Sequence, residues 1–268
     1  MPGTTPKHRL VMNIGELPVA VHTDDSRFAD MLRERYGEFV EAETDSAIEL
    51  EVALTEVAGG DPEEDMQVSL AGTVWHMQRG DFRAEFDAAT GRGRVRQTAN
   101  PYAIDSALRV IHTLMLSREG GFLLHAASAI REGKAFLFSG VSGAGKTTIS
   151  RLAPAGVTLL TDEVSYVRRG EQGYVAHGTP FAGELARIGK KVSAPVEKLF
   201  LLEKGGENRM SAIESGEAVR LLMRNILFFA QDASAVNRVF ESACDFAARV
   251  PVYVLSFYPD ARVWDLIR

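Results

Sequence analysis

One cysteine, Cys244, occurs in 268 residues. No intrachain disulfide can form from it, and cysteine supplies no metal cluster. Cys244 falls within a helical apolar pattern and reads as a small core residue. Long hydrophobic runs are also missing: none approaches the roughly 20 apolar residues that cross a bilayer. No apolar segment follows residues 1–7 as a secretion signal would, so a cytoplasmic protein with no membrane partner is expected. Positive charge is not in excess either. The net charge of −6 argues against broad nucleic-acid binding and against a polybasic membrane patch. Repeats and low-complexity tracts are absent. What remains is an ordinary globular composition, 46% hydrophobic and 25% charged, sufficient for a core in one large domain or two small ones.

The first 100 residues are predicted to form a smaller, mainly antiparallel β domain with one helix. Leu10-Val11-Met12 and residues 17–21 read as a strand pair across Gly15. Asp24 or Asp25 caps a helix bearing Phe28, Met31, Leu32 and Tyr36, and Gly37 stops it. Ile48, Leu50, Val52 and Leu54 alternate with Ala47, Glu49, Glu51 and Ala53, the period of a half-buried strand. Glu49 and Glu51 are then the wet face of a sheet rather than a catalytic pair. Residues 59–65 are a polar loop. A meander follows to residue 96, with a turn at Gly91 and Gly93. Arg92, Arg94 and Arg96 read as a solvated strand face.

Residues 101–268 are predicted to form a mixed-sheet α/β domain, α+β for the chain overall. Asn100 and Pro101 suit a helix cap and first turn. The decisive stretch is Gly140-Val141-Ser142-Gly143-Ala144-Gly145-Lys146-Thr147, which fits G-x-x-x-x-G-K-[ST] at every fixed position. An apolar strand, residues 134–139, precedes it, and Thr148 begins a helical pattern. Gly143 and Gly145 admit backbone angles that turn successive N–H groups inward as a nest for phosphate. Gly140, Ser142, Ala144 and Thr148 complete the cradle. Lys146 brings a mobile charge for the β- and γ-phosphates and Thr147 a hydroxyl for Mg²⁺. ATP and Mg²⁺ are the ligands this implies.

A phosphate loop needs an acidic partner. Asp162-Glu163 follows the apolar strand at 156–160, at the strand end where α/β sheets place ligand groups. If Glu163 holds Mg²⁺, Asp162 is left to take a proton from an attacking hydroxyl; the two roles can be exchanged. His125 lies in the apolar strand 122–130 and reads equally as a core histidine or a site residue. Arg187, Lys190 and Lys191 either neutralise a transferring phosphate or belong to a solvated loop. Ser215 caps a helix bearing Val219, Leu222, Ile226 and Phe229, Ser234 caps a second carrying Val239, Phe240, Ala243 and Phe246 at helical spacing, and a last buried strand at 252–257 closes the chain.

His125, the glycine loop and Asp162-Glu163, in that order, resemble the catalytic domain of the HPr serine kinase/phosphorylase family. Leu124-His125-Ala126-Ala127-Ser128 and His177-Gly178-Thr179-Pro180-Phe181 are similar to segments of the HPr-kinase-related proteins. The resemblance spans residues 120–260 and implies a P-loop fold related to phosphoenolpyruvate carboxykinase. It implies ATP-dependent phosphorylation of a serine hydroxyl. Asp162 would be the base and Lys146 the phosphate clamp, with Thr147 and Glu163 at the metal and His125 beside the reacting centre. It also implies a homo-oligomer, since that family forms rings. Thr147 stands where those kinases carry serine and Glu163 where they carry aspartate; both keep an oxygen ligand. The first 100 residues and the phosphorylase signature have no counterpart, so neither HPr as acceptor nor dephosphorylation is implied. The expected activity is a kinase acting on a hydroxyl of a protein, peptide or small molecule. The alternatives are an ATP-binding regulatory or assembly module and an NTPase using water.

Overall fold

Two adjacent residues with positive φ, Gly15 at 61° and Glu16 at 64°, turn the chain into its first hairpin, β1 (His8–Ile14) with β2 (Leu17–Thr23). Positive φ at both central residues gives the twist a two-residue hairpin needs. The computed structural model describes residues 7–42, 44–55, 64–181, 183, 189–230 and 232–268. The expected polar loop at 59–65 and the basic candidate Arg187 therefore fall wholly or largely outside the described residues. The chain is α+β, with two mainly sheet units and few helices. One unit comprises Met1–Met115 with Phe228–Val236, the other Leu116–Leu227 with Asn237–Arg268.

In the first unit, Asp25 accepts the Phe28 N–H at 2.8 Å and starts α1 (Ser26–Tyr36). Gly37 ends it at φ 48°. Phe28, Ala29, Leu32 and Tyr36 are the buried stripe. The strands that follow are β3 (Val40–Glu41), β4 (Ile48–Leu54), β5 (Gln67–Ala71), β6 (Val74–Arg79), β7 (Phe82–Asp87) and β8 (Arg92–Gln97). Their order in the sheet is β3-β1-β2-β4-β8-β7-β6-β5. Antiparallel pairing dominates, but β4 runs parallel to both β2 and β8. The outward row Glu51–Arg94–Glu85–His76 sets acidic beside basic side chain types across four strands, with Arg94 ion-paired to Glu51 at 2.9 Å on a solvated face.

Gly93 is not part of a turn, as the sequence suggests. It lies inside β8 opposite Phe86. A Cβ there would meet Glu85 O at 2.7 Å and Leu50 Cδ2 at 2.8 Å. Gly93→Ala should therefore cost about 1–3 kcal/mol through overpacking, read as a lower urea midpoint with an unchanged slope. An unchanged midpoint would show that the sheet yields at this point.

Asn100 accepts the Tyr102 N–H at 3.1 Å and leads into α2 (Pro101–Arg118). Within the first unit, buried Asp105 of α2 accepts from the Arg35 guanidinium and the Tyr36 hydroxyl. Burial and the Asp105 charge push the Tyr36 phenol well up.

The second unit starts with β9 (Phe122–Arg131) and β10 (Lys134–Ser139), an antiparallel hairpin turned by Glu132 and Gly133, again both at positive φ. The remaining elements are α3 (Lys146–Arg151), β11 (Thr158–Thr161), β12 (Val164–Gly170), β13 (Gly173–His177), β14 (Ser193–Lys204), β15 (Arg209–Ala212), α4 (Ser215–Met223), β16 (Ile226–Leu227), α5 (Ala233–Arg249) and β17 (Val252–Phe257). Backbone pairing runs β10-β9-β12-β13-β14 and returns to β10, because β14 also pairs with β10 in parallel. The long strand β9 has β11 and β12 along one side and β10 and β16 along the other.

Three local expectations need correction. Ser215 is the first residue of α4, and Glu214 precedes it at the cap position without a side-chain bond. Ile226 keeps the helical spacing, yet α4 stops at Met223 and Ile226 pairs with Leu124 of β9. The first turn of α5 is closed by Asp232, which accepts the Ala235 N–H at 2.8 Å, rather than by Ser234.

Candidate nucleotide site

The glycine loop leaves the end of β10 and enters α3. Gly143 has φ 77° and Gly145 φ 113°, backbone states that cost an L side chain about 1–2 kcal/mol or more. At Gly143 a Cβ would meet nothing within 4 Å, whereas at Gly145 it would lie 2.6 Å from Phe257 Cζ. Gly143 thus answers to conformation alone, and Gly145 to conformation and packing together.

That packing anchors the loop. Ala144 and Ile149 belong to a core with Phe138, Phe200, Phe257 and Trp264. Phe138 and Phe200 stack at 5.5 Å, and Trp264 meets Phe138 edge-on at 5.5 Å. The Trp264 indole N–H donates to Ile149 O at 3.1 Å, tying the short helix α3 to the C-terminal segment. Parallel strands β10, β14 and β17 all end at this edge, the end of a sheet where α/β proteins place ligands.

Lys146 is buried, and its ammonium donates to Gly140 O at 2.9 Å and Val141 O at 3.4 Å. The side chain folds back over its own loop, so gripping a phosphate requires it to exchange these carbonyls for phosphate oxygens. Ala144 N–H donates to Val141 O at 3.0 Å, closing a turn beneath it.

Asp162 and Glu163 occupy the joint between β11 and β12. Thr161 Oγ1 accepts the N–H groups of both Glu163 and Val164 at 3.2 Å, which fixes the bend. Asp162 is buried, and its Oδ1 accepts the Gly183 N–H at 3.1 Å. A Cβ on Gly183 would meet Glu163 Oε2 at 2.6 Å and Asp162 Oδ2 at 3.0 Å. Only a bare glycine lets main chain lie this close to both carboxylates. Sequence reasoning missed Gly183, since an isolated glycine carries no local signal.

His125 lies between the two halves. It is the register partner of Val164 across β9 and β12, and its carbonyl accepts the Ser139 hydroxyl at 3.0 Å. The Ala126 N–H donates to Glu163 O at 3.0 Å, while Ser139 is the register partner of Ala126 on the opposite side. The glycine loop and the acidic pair therefore leave strands flanking β9 at the same level. At ~4.8 Å between strands, their origins lie about 10 Å apart. The His177-Gly178-Thr179 segment supports this arrangement from below. Buried Thr179 donates its hydroxyl to Val164 O at 2.9 Å and its N–H to Leu160 O at 3.3 Å. His177 is buried edge-on to Tyr166 at 5.9 Å. Of the basic candidates, Lys190 is exposed and Lys191 half-buried.

The donor set suits a hard cation. Asp162, Glu163 and Thr147 offer carboxylate and hydroxyl oxygens, and Mg²⁺ is held by one or two carboxylates supplemented by phosphate and water.

The family model described as SynChlorMet cassette protein ScmC matches residues 96–268. The chain belongs to the ScmC family. The match takes in the glycine loop, the acidic pair, His125 and the whole of the second unit after α2. Residues before 96, including β1 to β7 and α1, lie outside the ScmC match. Its description names a cassette and no reaction. No curated protein matches the chain. No helix among the described residues is long and apolar enough to cross a membrane.

Proposed function

We propose that this ScmC-family chain is an ATP-dependent kinase of the HPr-kinase type, transferring the γ-phosphoryl group to a hydroxyl, foremost a serine of a protein or peptide. One observation carries the reading. A glycine loop ending in Lys-Thr and a carboxylate pair, buried Asp162 beside half-buried Glu163, emerge from strands on either side of β9, about 10 Å apart by strand spacing. That separation suits a triphosphate held at one side and an acceptor oxygen at the other. Mg²⁺ would neutralise charge on the phosphates, held by Thr147 with Glu163. The main-chain nest at 143–146 binds and orients the phosphate tail, and Lys146 clamps it. Asp162 accepts the proton from the acceptor hydroxyl as the new P–O bond forms and ADP departs. His125, one strand over, adjusts the base. Catalysis is then mainly positioning and charge stabilisation.

Incubation with γ-labelled ATP and Mg²⁺ should label a serine-bearing acceptor. Phosphate release without acceptor would replace the kinase by an NTPase, and ATP binding without turnover by a regulatory module. Lys146→Ala should weaken ATP binding and transfer together, transfer by about 10²-fold or more. Full transfer in the variant would remove Lys146 from the site.

A further inference from the structure

On the outward face of the first unit's sheet, one register row carries no carboxylate. It runs Ala53–Arg96–Arg83–Gln78–Gln67 across β4, β8, β7, β6 and β5, and all of these residues are exposed. Arg96 and Arg83 are direct register partners, and like charges directly opposite one another in a ladder destabilise it. The neighbouring row is built differently, with its Arg94 ion-paired to Glu51 at 2.9 Å. Two places away along the strands of the row stand Asp81, Glu85 and Glu51, and each has a partner other than Arg83 or Arg96. Asp81 Oδ1 accepts from Arg79 Nε at 2.7 Å, Glu51 is held by Arg94, and Glu85 Oε1 lies 3.6 Å from His76 Nδ1. Among the described residues, no hydrogen bond or ion pair reaches Arg83 or Arg96. Their charge is uncompensated there.

The row lies open to water, where a single ion pair contributes little. A ligand held here must engage both guanidinium groups at once. Guanidinium forks match carboxylate oxygens in geometry as well as charge, and Gln78 and Gln67 extend the row with amide donors. An extended peptide places alternate side chains on one side, about 7 Å apart. That spacing is within reach of two long side chains that start about 5 Å apart on neighbouring strands. We propose that this row is a docking surface for an acidic peptide segment with carboxylates at alternate positions. The chain's net charge of −6 opposes any general attraction of polyanions, which confines the attraction to the row. The proposal concerns the first unit alone and stands independently of the kinase reading.

The test is fluorescence anisotropy of a labelled peptide of alternating glutamate and serine, titrated at low salt with the full chain. Saturable binding that weakens with added salt is expected. Arg83→Gln with Arg96→Gln should weaken it at least about tenfold. Arg92→Gln removes the same charge from β8 outside the row, opposite Asp87, and should leave affinity within about twofold. Arg96→Gln alone should raise the urea midpoint by relieving the repulsion with Arg83. No binding, an equal loss in Arg92→Gln, or unchanged affinity in the double variant would overturn the proposal. A lowered midpoint in Arg96→Gln would also overturn it, because the pair would then serve the sheet. So would tighter binding of an oligothymidylate of equal charge, which would make the partner a nucleic acid. Binding that appears only after Glu63, Glu64 and Asp65 are changed to glutamine and asparagine would make the chain's own acidic segment the occupant, and would overturn it as well.

Discussion

Asp162→Asn is expected to lower phosphoryl transfer by about 10²- to 10⁴-fold, the range for losing a general base, while ATP binding persists. The reason lies in what the substitution keeps. The Asn side chain has the shape of the carboxylate and still offers an oxygen to the Gly183 N–H, now bonded to Asp162 Oδ1 at 3.1 Å. The bend held by Thr161 is untouched. What disappears is the ability to take a proton and a negative charge near Glu163. Stability should stay within about 1–2 kcal/mol, the scale of one hydrogen bond to a charged group. Single-turnover transfer and ATP titration on the same preparation separate the two effects. Undiminished transfer would remove Asp162 as the base and pass the role to Glu163, whose Gln variant would then carry the loss.

That experiment draws on residues legible in sequence, and the reason they are legible is local. A nest of N–H groups is built from consecutive residues, so its glycines, Lys146 and Thr147 must appear in order. The Thr161-Asp162-Glu163 bend is likewise made within three residues. The hydrophobic alternation of β4 and the caps at Asp25 and Asn100 are local for the same reason. Features made by distant chain meeting chain were not legible. Gly183 shows its purpose only beside the two carboxylates. The strand β15 is exposed throughout, so Arg209-Met210-Ser211-Ala212 has no buried face to set a period. It is held by backbone pairing to β17. The two-residue strand β16 carries Ile226 at helical spacing, and only its pairing with β9 overrides the periodic signal. Phe240 shows the converse. It continues the helical apolar pattern of α5 yet is 50% exposed, because spacing alone does not fix how wide the buried stripe is.

Gly145→Ala tests the long-range half of the site. It should lower stability by about 2–5 kcal/mol: about 1–2 for a side chain at positive φ and about 1–3 for overpacking. ATP binding should fall by about 10²-fold or more, since a nest whose amides no longer converge loses several hydrogen bonds to phosphate at once. The comparison that gives this meaning is Gly143→Ala. Gly143 also has positive φ, but a Cβ there meets nothing within 4 Å, so only the conformational cost of about 1–2 kcal/mol applies. At Gly145 the added Cβ would press on Phe257 Cζ from 2.6 Å. Phe257 cannot step aside easily, because it is 4% exposed and packs in the core that also holds Ile149 and Trp264. The loop must therefore lift or α3 must shift, and either moves the amides and Lys146 away from the phosphates. Urea denaturation and ATP titration of the two variants side by side provide the measurement. Equal costs at the two glycines would mean that the Phe257 contact does not constrain the loop, and that its geometry is set by backbone preference alone.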